Sequence, residues 1–309
     1  MESKADILRT VLKGLKGIRK ELPNKLFYDQ RGSKLFDVIT GLEEYYPTRT
    51  EMQILENNIT EIGGLLGGGT VLIELGSGSS RKIRLLLDNI PSLAAYIPID
   101  ISREHLMTSA ARLSNDYPDL EILPLVADYT KEFSLPEINK PHDHISAFYP
   151  GSTIGNFKPE DAKIFLYRIS KLIGGNGGMI IGVDLKKDKE TLEAAYNDSK
   201  GVTAEFNLNI LRHINNETGS DFNTDNFQHL AFYNGEAGRI EMHLTSKINQ
   251  KIHLNGASLE LKKNEDILTE YSYKYTPQEF ESLIADFFEV RNIWTDDKNL
   301  FSIQYLRVK

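Results

Sequence analysis

The sequence IELGSGSSRKIRLLLD, residues 73–88, indicates the fold class because its pattern changes from strand to helix across a short glycine turn. An apolar run leads into Gly76 and Gly78, and the apolar spacing that follows is that of a helix. Glycines at such a turn allow a tight bend and a close backbone approach to a nucleotide-sized ligand. The third glycine of a dinucleotide-binding loop is missing, since Arg81 occupies its position. We therefore predict a strand–turn–helix that binds a nucleoside.

Five apolar runs alternate with helical patterns in the chain up to residue 184. They are candidate strands at residues 71–75, 96–100, 121–127, 144–149 and 178–184. Regular alternation of strands and helices predicts a parallel sheet with helices on both faces. Nearer the C-terminus, residues 277–288 predict a helix and residues 300–308 predict a strand that could rejoin this sheet.

A different pattern occupies the chain between the fifth strand and this last helix. A helical region at about 189–220 precedes two alternating segments, which flank the β-hairpin turn signal Asn255-Gly256. Further helical patterns lie near the N-terminus. We therefore predict an α/β fold in which a doubly wound, mostly parallel sheet is accompanied by a second α+β domain. The predicted domains are residues 60–184 plus 276–309, and residues 1–59 plus 185–275.

Composition excludes several classes of function. The 309 residues carry a net charge of −8 and no basic patch, which argues against nucleic acid as a partner. There is no cysteine, so disulfides, thiolate metal sites and cysteine nucleophiles are excluded. The seven histidines show no metal-binding spacing, and we expect no metal. No apolar stretch approaches the roughly 20 residues of a membrane span, and no signal peptide is apparent. We expect a cytoplasmic protein without a membrane partner.

Acidic residues end the second and third predicted strands. Asp100 lies about 20 residues beyond the glycine turn, where a carboxylate binds ribose hydroxyls. Asp128 follows the third strand, where it could accept a hydrogen bond from an adenine amino group. Each acid could instead cap a helix, but polar features at three successive strand ends favour a nucleoside site. With Glu74-x-Gly76-x-Gly78, the pattern resembles the class I S-adenosylmethionine (SAM)-dependent methyltransferases.

The loop FYPGSTIGNF, residues 148–157, follows the fourth predicted strand. In open α/β sheets ligands bind beyond the carboxyl ends of the strands, where small residues let the backbone approach a cofactor and a substrate. The loop also offers the hydroxyls of Ser152 and Thr153 and the amide of Asn156. Part of it could serve only to start the helix near Pro159, and the two roles are compatible.

Five sequence strings, in this order, resemble the histidine-specific Nα-methyltransferases of ergothioneine biosynthesis. They are FYDQRGSKLFDVITGLEEYYPTRTE, IELGSGSSRKIRLLLD, GSTIGNF, AGRIEMHL and LTEYSYKY. The resemblance runs from about Leu22 to the C-terminus. It implies a SAM-binding methyltransferase domain and a substrate-binding domain, as the two predicted domains would provide. It also implies three successive methyl transfers to the α-amino nitrogen of L-histidine, which give its trimethylbetaine, hercynine.

The resemblance assigns roles to particular residues. The SAM contacts it implies, with Gly78 from the turn pattern, are Tyr28, Gly76, Gly78, Lys82, Asp100 and Asp128. The substrate contacts it implies are Tyr45, Gly151, Asn156, Tyr196, Met242, Glu270 and Ser272.

Our hypothesis for catalysis assigns roles to three groups of these residues. Asn156, Tyr196 and the Gly151 backbone would hold the amino-acid carboxylate and amine. Glu270 and Ser272 would hold the imidazole. Tyr28 or Tyr45 would assist removal of the amine proton, so the catalytic candidates are Tyr28, Tyr45 and Asn156. A site formed within one chain would suffice, and we expect a monomer.

Three other functions remain open from the sequence. The chain could methylate another amino acid, such as a tryptophan derivative, and would then differ at the imidazole-binding residues. It could be a nicotinamide-dependent oxidoreductase, although the missing third glycine disfavours this. It could also bind SAM without catalysing any reaction.

Overall fold

The computed structural model describes residues 3–78, 81–90 and 92–309. The chain divides into two compact units. The sheet unit comprises Pro47–Lys186 and Lys274–Lys309, and the mixed unit comprises Met1–Tyr46 and Lys187–Tyr273. The chain thus changes unit after residue 46, whereas the sequence pattern places the first change after residue 59. No helix within the described ranges is long and apolar enough to cross a membrane.

Helices and strands account for most of both units. The α-helices in the described ranges are α1 (Lys4–Leu15), α2 (Gln30–Ile39), α3 (Tyr46–Leu66), α4 (Arg81–Asn89), α5 (Arg103–Asp116), α6 (Pro159–Ile173), α7 (Lys189–Ala194), α8 (Val202–Thr218) and α9 (Pro277–Ile284). The strands there are β1 (Thr70–Leu75), β2 (Ala95–Asp100), β3 (Glu121–Ile122), β4 (Leu125–Val126), β5 (His144–Tyr149), β6 (Gly178–Asp184), β7 (Phe227–Asn234), β8 (Arg239–Ser246), β9 (Gln250–Leu254), β10 (Ala257–Leu261), β11 (Asp266–Tyr273), β12 (Phe288–Thr295) and β13 (Phe301–Val308).

The sheet unit contains a mostly parallel sheet with the strand order β12-β13-β6-β5-β1-β2-β3, and β4 also pairs with β2. Strands β1, β2, β5 and β6 pair in parallel, and β13 pairs antiparallel with both β6 and β12. Every residue of β1 and of β6 is buried, which is the pattern of a strand covered by helices on both faces. The predicted α/β fold with a doubly wound sheet is confirmed, and its last strand does rejoin the sheet.

The third predicted strand, residues 121–127, is instead two short strands, β3 and β4. Strand β3 pairs with β2 near Ala95, and β4 pairs with β2 near Asp100. Pro124 lies between them. Because proline has no backbone N–H to donate, it interrupts the ladder at this position. The separate strand β4 leads directly to Asp128.

Strand β12 is a strand that the sequence pattern missed. Its buried residues Phe288 and Trp294 are separated by exposed and half-buried ones, so the run looks polar. Strand β12 lies at the edge of the sheet, where only one neighbour and one face bury side chains. An edge strand of this kind lacks the continuous apolar run of its central neighbours.

The mixed unit contains a three-stranded antiparallel sheet in the order β11-β8-β7. Helix α8 contacts β7 and β8, and it buries Phe206, Ile210 and Ile214. Phe206 stacks on Phe27 with ring centroids 4.6 Å apart. Strand β7, which has an irregular burial pattern, was not predicted.

A second, two-stranded sheet in the mixed unit is the β9–β10 hairpin. Its turn residues Asn255 and Gly256 have φ angles of 39° and 90°. Two positive φ values in succession match the type I′ turn that an Asn-Gly dipeptide favours. The predicted hairpin is therefore confirmed.

A buried ion pair lies at the carboxyl end of β6 in the sheet unit. The Nζ of Lys274 is 2.6 Å from Oδ2 of Asp184, and each side chain is only 1% exposed. The backbone N–H of Asp184 donates to the Ser152 hydroxyl at 2.9 Å, which ties the loop after β5 to the end of β6. Removing one partner of such a pair leaves a buried charge without compensation, and this is costly.

We predict that Lys274→Met destabilises the protein by about 3–5 kcal/mol, because the Asp184 carboxylate would remain buried without its cation. The measurement is urea unfolding followed by circular dichroism. Lys163→Met is the matched control, since Lys163 pairs with Asp286 at 2.6 Å but the two side chains are 47% and 72% exposed. The control should lose less than about 1 kcal/mol. Equal losses in the two variants would contradict the prediction.

Candidate functional site

The glycine turn after β1 has a backbone conformation that requires glycine. Gly76 has a φ of 76°, and its N–H donates to the carbonyl of Ile99 at 2.9 Å. Gly78 donates to the Gly76 carbonyl at 2.8 Å. A Cβ atom on Gly78 would meet no described atom within 4 Å, so this position faces open space. Residues 79 and 80, which complete the predicted turn, lie outside the described residues.

Glu74, two residues before Gly76, is a buried carboxyl group inside the sheet. Only 3% of the residue is exposed, and it accepts a hydrogen bond from the Tyr96 hydroxyl. Burial raises the pKa of Glu74 to about 7, although the hydrogen bond from Tyr96 and the charge of Lys82 oppose the shift. Glu74 is therefore a buried carboxyl group on the strand before the turn, and its pKa lies near neutral.

The two aspartates at neighbouring strand ends do not cap helices. Oδ1 of Asp100 accepts from the Ser102 N–H at 2.8 Å, and the residue that caps α5 is Ser102. Oδ1 of Asp128 accepts from the Thr130 N–H at 3.1 Å. Among the described residues, no helix begins between this turn and β5. Burial raises the pKa of Asp100, while the Ser102 hydrogen bond lowers it. Both side chains are half-buried acceptors on adjacent strands, as a nucleoside site requires.

Lys82 and Gly151, which the family resemblance assigns to different ligands, are joined through Glu51. The Lys82 ammonium forms an ion pair with Glu51. The Gly151 N–H donates to the two Glu51 carboxylate oxygens at 2.8 and 3.0 Å. That N–H is therefore already used within the protein, which differs from the predicted role of the Gly151 backbone in holding the substrate.

The loop after β5 has a strained start and a helical end. Ser152 adopts the left-handed conformation with a φ of 55°, and it is held there by the hydrogen bond from the Asp184 N–H. The Thr153 hydroxyl donates to the Pro150 carbonyl at 3.0 Å. A 3-10 turn, Thr153–Asn156, ends the loop, and the half-buried Asn156 side chain has no hydrogen-bond partner among the described residues. The helix that follows begins at Pro159, as predicted.

The remaining candidates belong to the mixed unit, where Tyr196 connects several of them. The Tyr196 hydroxyl donates to the Ser272 hydroxyl oxygen at 2.8 Å, and both residues are buried. The Tyr45 ring lies edge-on to Tyr196, with ring centroids 6.4 Å apart. Phe36 contacts both Tyr45, at 6.2 Å, and Tyr28, at 5.8 Å. The candidate tyrosines therefore form one aromatic cluster.

Strands β8 and β11 place the other two substrate candidates opposite each other. Met242 on β8 pairs with Glu270 on β11, beyond an irregularity between Leu268 and Glu270 that shifts the register. Glu270 and Ser272 are two residues apart on this strand and so share one face, as predicted. Met242 is 1% exposed, whereas Glu270 is half-buried.

A network behind Tyr196 fixes its backbone. Nε2 of His229 is 2.9 Å from the Tyr196 carbonyl oxygen, to which it donates, and Nδ1 of His229 accepts from the Asn207 amide at 2.8 Å. The Thr269 hydroxyl donates to the Asn207 oxygen at 2.7 Å. Burial lowers the pKa of His229, which favours the neutral ring that this arrangement requires.

The sequence pattern assigned no role to Glu51, His229 or Asn207. The sequence does contain a signal for Glu51. It lies three residues before Ile54 and four before Leu55, so the three side chains share one face of α3. An acid on an apolar helix face needs a buried partner. No comparable signal marks His229, because its partners are set by the tertiary fold.

The sheet order, the glycine turn and the acids on adjacent strands define a class I methyltransferase. The sequence matches the family described as "Histidine-specific methyltransferase, SAM-dependent" over residues 7–308. Because the match spans nearly the whole chain, the chain belongs to this family, whose methyl donor is SAM.

Curated relatives agree with the family match. A histidine N-alpha-methyltransferase from Mycolicibacterium smegmatis is 38% identical over 313 residues, which cover 98% of this chain and 95% of that protein. A protein of the same name from Mycobacterium tuberculosis is 38% identical over 302 residues, which cover 96% of this chain and 92% of that protein. Ergothioneine biosynthesis protein 1 from Neurospora crassa is 40% identical over 207 residues, covering 65% of this chain and 23% of that protein.

We predict that Glu74 makes stability fall as the pH rises from about 4.5 to 7. In that interval the folded protein keeps the Glu74 proton while the unfolded chain, with the ordinary value of 4.5, loses it. A shift of this size corresponds to about 3 kcal/mol. Urea unfolding at pH 5 and pH 8 should show that Glu74→Gln removes most of this loss. Glu56→Gln, at an exposed position, is the control and should show the same loss of stability as the wild type. An unchanged pH dependence in Glu74→Gln would contradict the prediction.

Proposed function

We propose that the protein transfers methyl groups from SAM to the α-amino nitrogen of L-histidine, three times, giving the trimethylbetaine hercynine. The observation that carries the proposal is the buried hydrogen bond from Tyr196 to Ser272. Ser272 lies on β11, the strand that also bears Glu270. Glu270 offers a carboxylate to an imidazole N–H. A site that hydrogen-bonds the imidazole N–H discriminates against substrates that lack it.

The proposed SAM contacts in the sheet unit suit the chemistry of a nucleoside. Asp100 and Asp128 supply carboxylate acceptors for ribose hydroxyls and for an amino group, and the left-handed Gly76 allows close backbone approach. Lys82 supplies a cation for the carboxylate of SAM. Tyr28, a further proposed SAM contact, offers its aromatic face and its hydroxyl. SAM itself supplies an activated methyl group on a sulfonium, which is transferred by in-line displacement.

The protein's own residues must then align the amine and keep it neutral. The attacking nitrogen needs a free lone pair, so its proton leaves before the N–C bond forms. We assign Asn156 and Tyr196 to the amino-acid backbone of the substrate, and Tyr28 or Tyr45 to the removal of the proton, directly or through water. Alignment of this kind supplies a large share of the rate enhancement in bimolecular reactions. Gly151 contributes a lack of side-chain bulk, since its N–H donates to Glu51.

The aromatic cluster of Tyr28, Phe36, Tyr45 and Tyr196 suits repeated methylation. Each added methyl group removes a hydrogen-bond donor from the nitrogen, and the final product carries a permanent positive charge. Aromatic faces attract such cations without needing a donor from them. Met242 adds a flexible apolar surface for the imidazole ring. We further propose that the protein acts as a monomer in the cytoplasm.

We predict that Glu270→Ala and Asp100→Ala separate the two ligands. Glu270→Ala should lower kcat/KM for histidine by at least about 100-fold, because the imidazole loses a charged acceptor, while SAM affinity stays within about twofold. Asp100→Ala should weaken SAM at least about tenfold through loss of the ribose contact. Isothermal titration with SAM and steady-state kinetics measure both. Loss of SAM binding in Glu270→Ala, or unchanged SAM affinity in Asp100→Ala, would overturn the assignment.

The test of the function itself is a mass-spectrometric assay of the purified protein with SAM and each common amino acid in turn. We expect histidine to gain three methyl groups and the other amino acids none. Methylation of tryptophan instead would keep the enzyme class and reject the roles of Glu270 and Ser272. SAM binding without transfer to any amino acid would indicate a non-catalytic protein. Binding of NAD in place of SAM would favour an oxidoreductase.

A further inference from the structure

Glu51 is a buried acid at the point where three segments of the sheet unit meet. It lies on α3 and is 1% exposed. One contact is the ion pair with Lys82 on α4, the helix that follows the glycine turn. The other is the pair of hydrogen bonds from the Gly151 N–H, in the loop after β5. The carboxylate therefore joins α4 to the loop after β5.

The neighbouring strand is shaped to admit the Glu51 side chain. A Cβ atom on Gly182 of β6 would lie 2.1 Å from Oε1 of Glu51, so any side chain there would displace the carboxylate. The requirement is steric, since Gly182 lies in the middle of a fully buried strand. A glycine weakens a strand interior, which makes the space for the carboxylate a specific feature of this sheet.

The negative charge of Glu51 also affects which of two related ligands is favoured. The Lys82 side chain is 15% exposed, so its ammonium is poorly screened by water, and Glu51 is the anion that neutralises it. SAM carries a positive sulfonium, whereas its product S-adenosylhomocysteine carries a neutral sulfur. An unneutralised Lys82 would therefore disfavour SAM relative to its product, although both ligands have the same carboxylate and amine.

We propose that Glu51 is a positioning residue for the methyl donor. Its carboxylate orients Lys82 and the Gly151 N–H. Its negative charge offsets the repulsion between Lys82 and a sulfonium, while the Lys82 ammonium still donates to the carboxylate of the ligand. This inference rests on the proposed function only in that Lys82 contacts SAM. It adds a residue that acts through Lys82 and Gly151 without touching the ligand itself.

The experiment compares the affinities of SAM and S-adenosylhomocysteine by isothermal titration. Glu51→Gln, which removes the charge and keeps the shape, should weaken SAM about tenfold more than S-adenosylhomocysteine. Glu51→Asp, which keeps the charge, should restore most of the wild-type ratio between the two ligands. Glu51→Gln combined with Lys82→Met should also restore that ratio, because both charges are then absent. A role in folding alone would shift both ligands equally and would not respond to Lys82→Met.

The matched control is Glu61→Gln on the same helix, since Glu61 accepts hydrogen bonds from Asn292 and Trp294 at 3.0 and 2.8 Å and lies outside the proposed site. It should bind both ligands as the wild type does. A wild-type ratio in Glu51→Gln, or a changed ratio that Lys82→Met does not reverse, would overturn the proposal. Failure of the wild-type protein to bind SAM would reject the SAM contacts themselves, and the role of Glu51 with them.

Discussion

The left-handed conformation of Gly76 is the constraint on which the arrangement of the sheet unit depends. Its N–H donates to the carbonyl of Ile99, so the end of β1 is tied to the end of the neighbouring strand β2. The Ser77 N–H donates to the same carbonyl at 3.1 Å. Because Asp100 follows Ile99 directly, these hydrogen bonds set the spacing between the glycine turn and the first acid. They thus relate two proposed SAM contacts, Gly76 and Asp100.

Charges inside the protein are arranged in compensated groups. Lys274 and Asp184 neutralise each other at the end of β6, and Lys82 and Glu51 do so beside the loop after β5. Glu74 lies inside the sheet with the Tyr96 hydroxyl as a hydrogen-bond donor, and burial raises the pKa of its carboxyl group to about 7. A buried acid is stabilised either by a partner of opposite charge or by keeping its proton.

Much of the fold could be predicted from the sequence because the central strands are buried on both faces. A continuous apolar run such as residues 178–184 identifies a strand of this kind without reference to its neighbours. Strands β7 and β12 were missed because their burial is irregular and depends on what packs against them. In the candidate site, the glycine turn and the acids were visible as local patterns. For Glu51, the apolar face of α3 indicates a buried acid, but its partners could not be predicted because they are far from it in sequence.

The order of segments along the chain also governs how the protein can fold during synthesis. Strand β13 lies between β6 and β12 in the sheet, yet residues 187–273, which belong to the mixed unit, separate it from β6 in sequence. The sheet unit therefore cannot close its core until residues 301–308 have left the ribosome. Until β13 has been made, the edge of β6 with which it pairs is without that partner strand. Such late, long-range pairing slows folding and exposes an apolar edge to other chains, which makes this edge a candidate for chaperone protection.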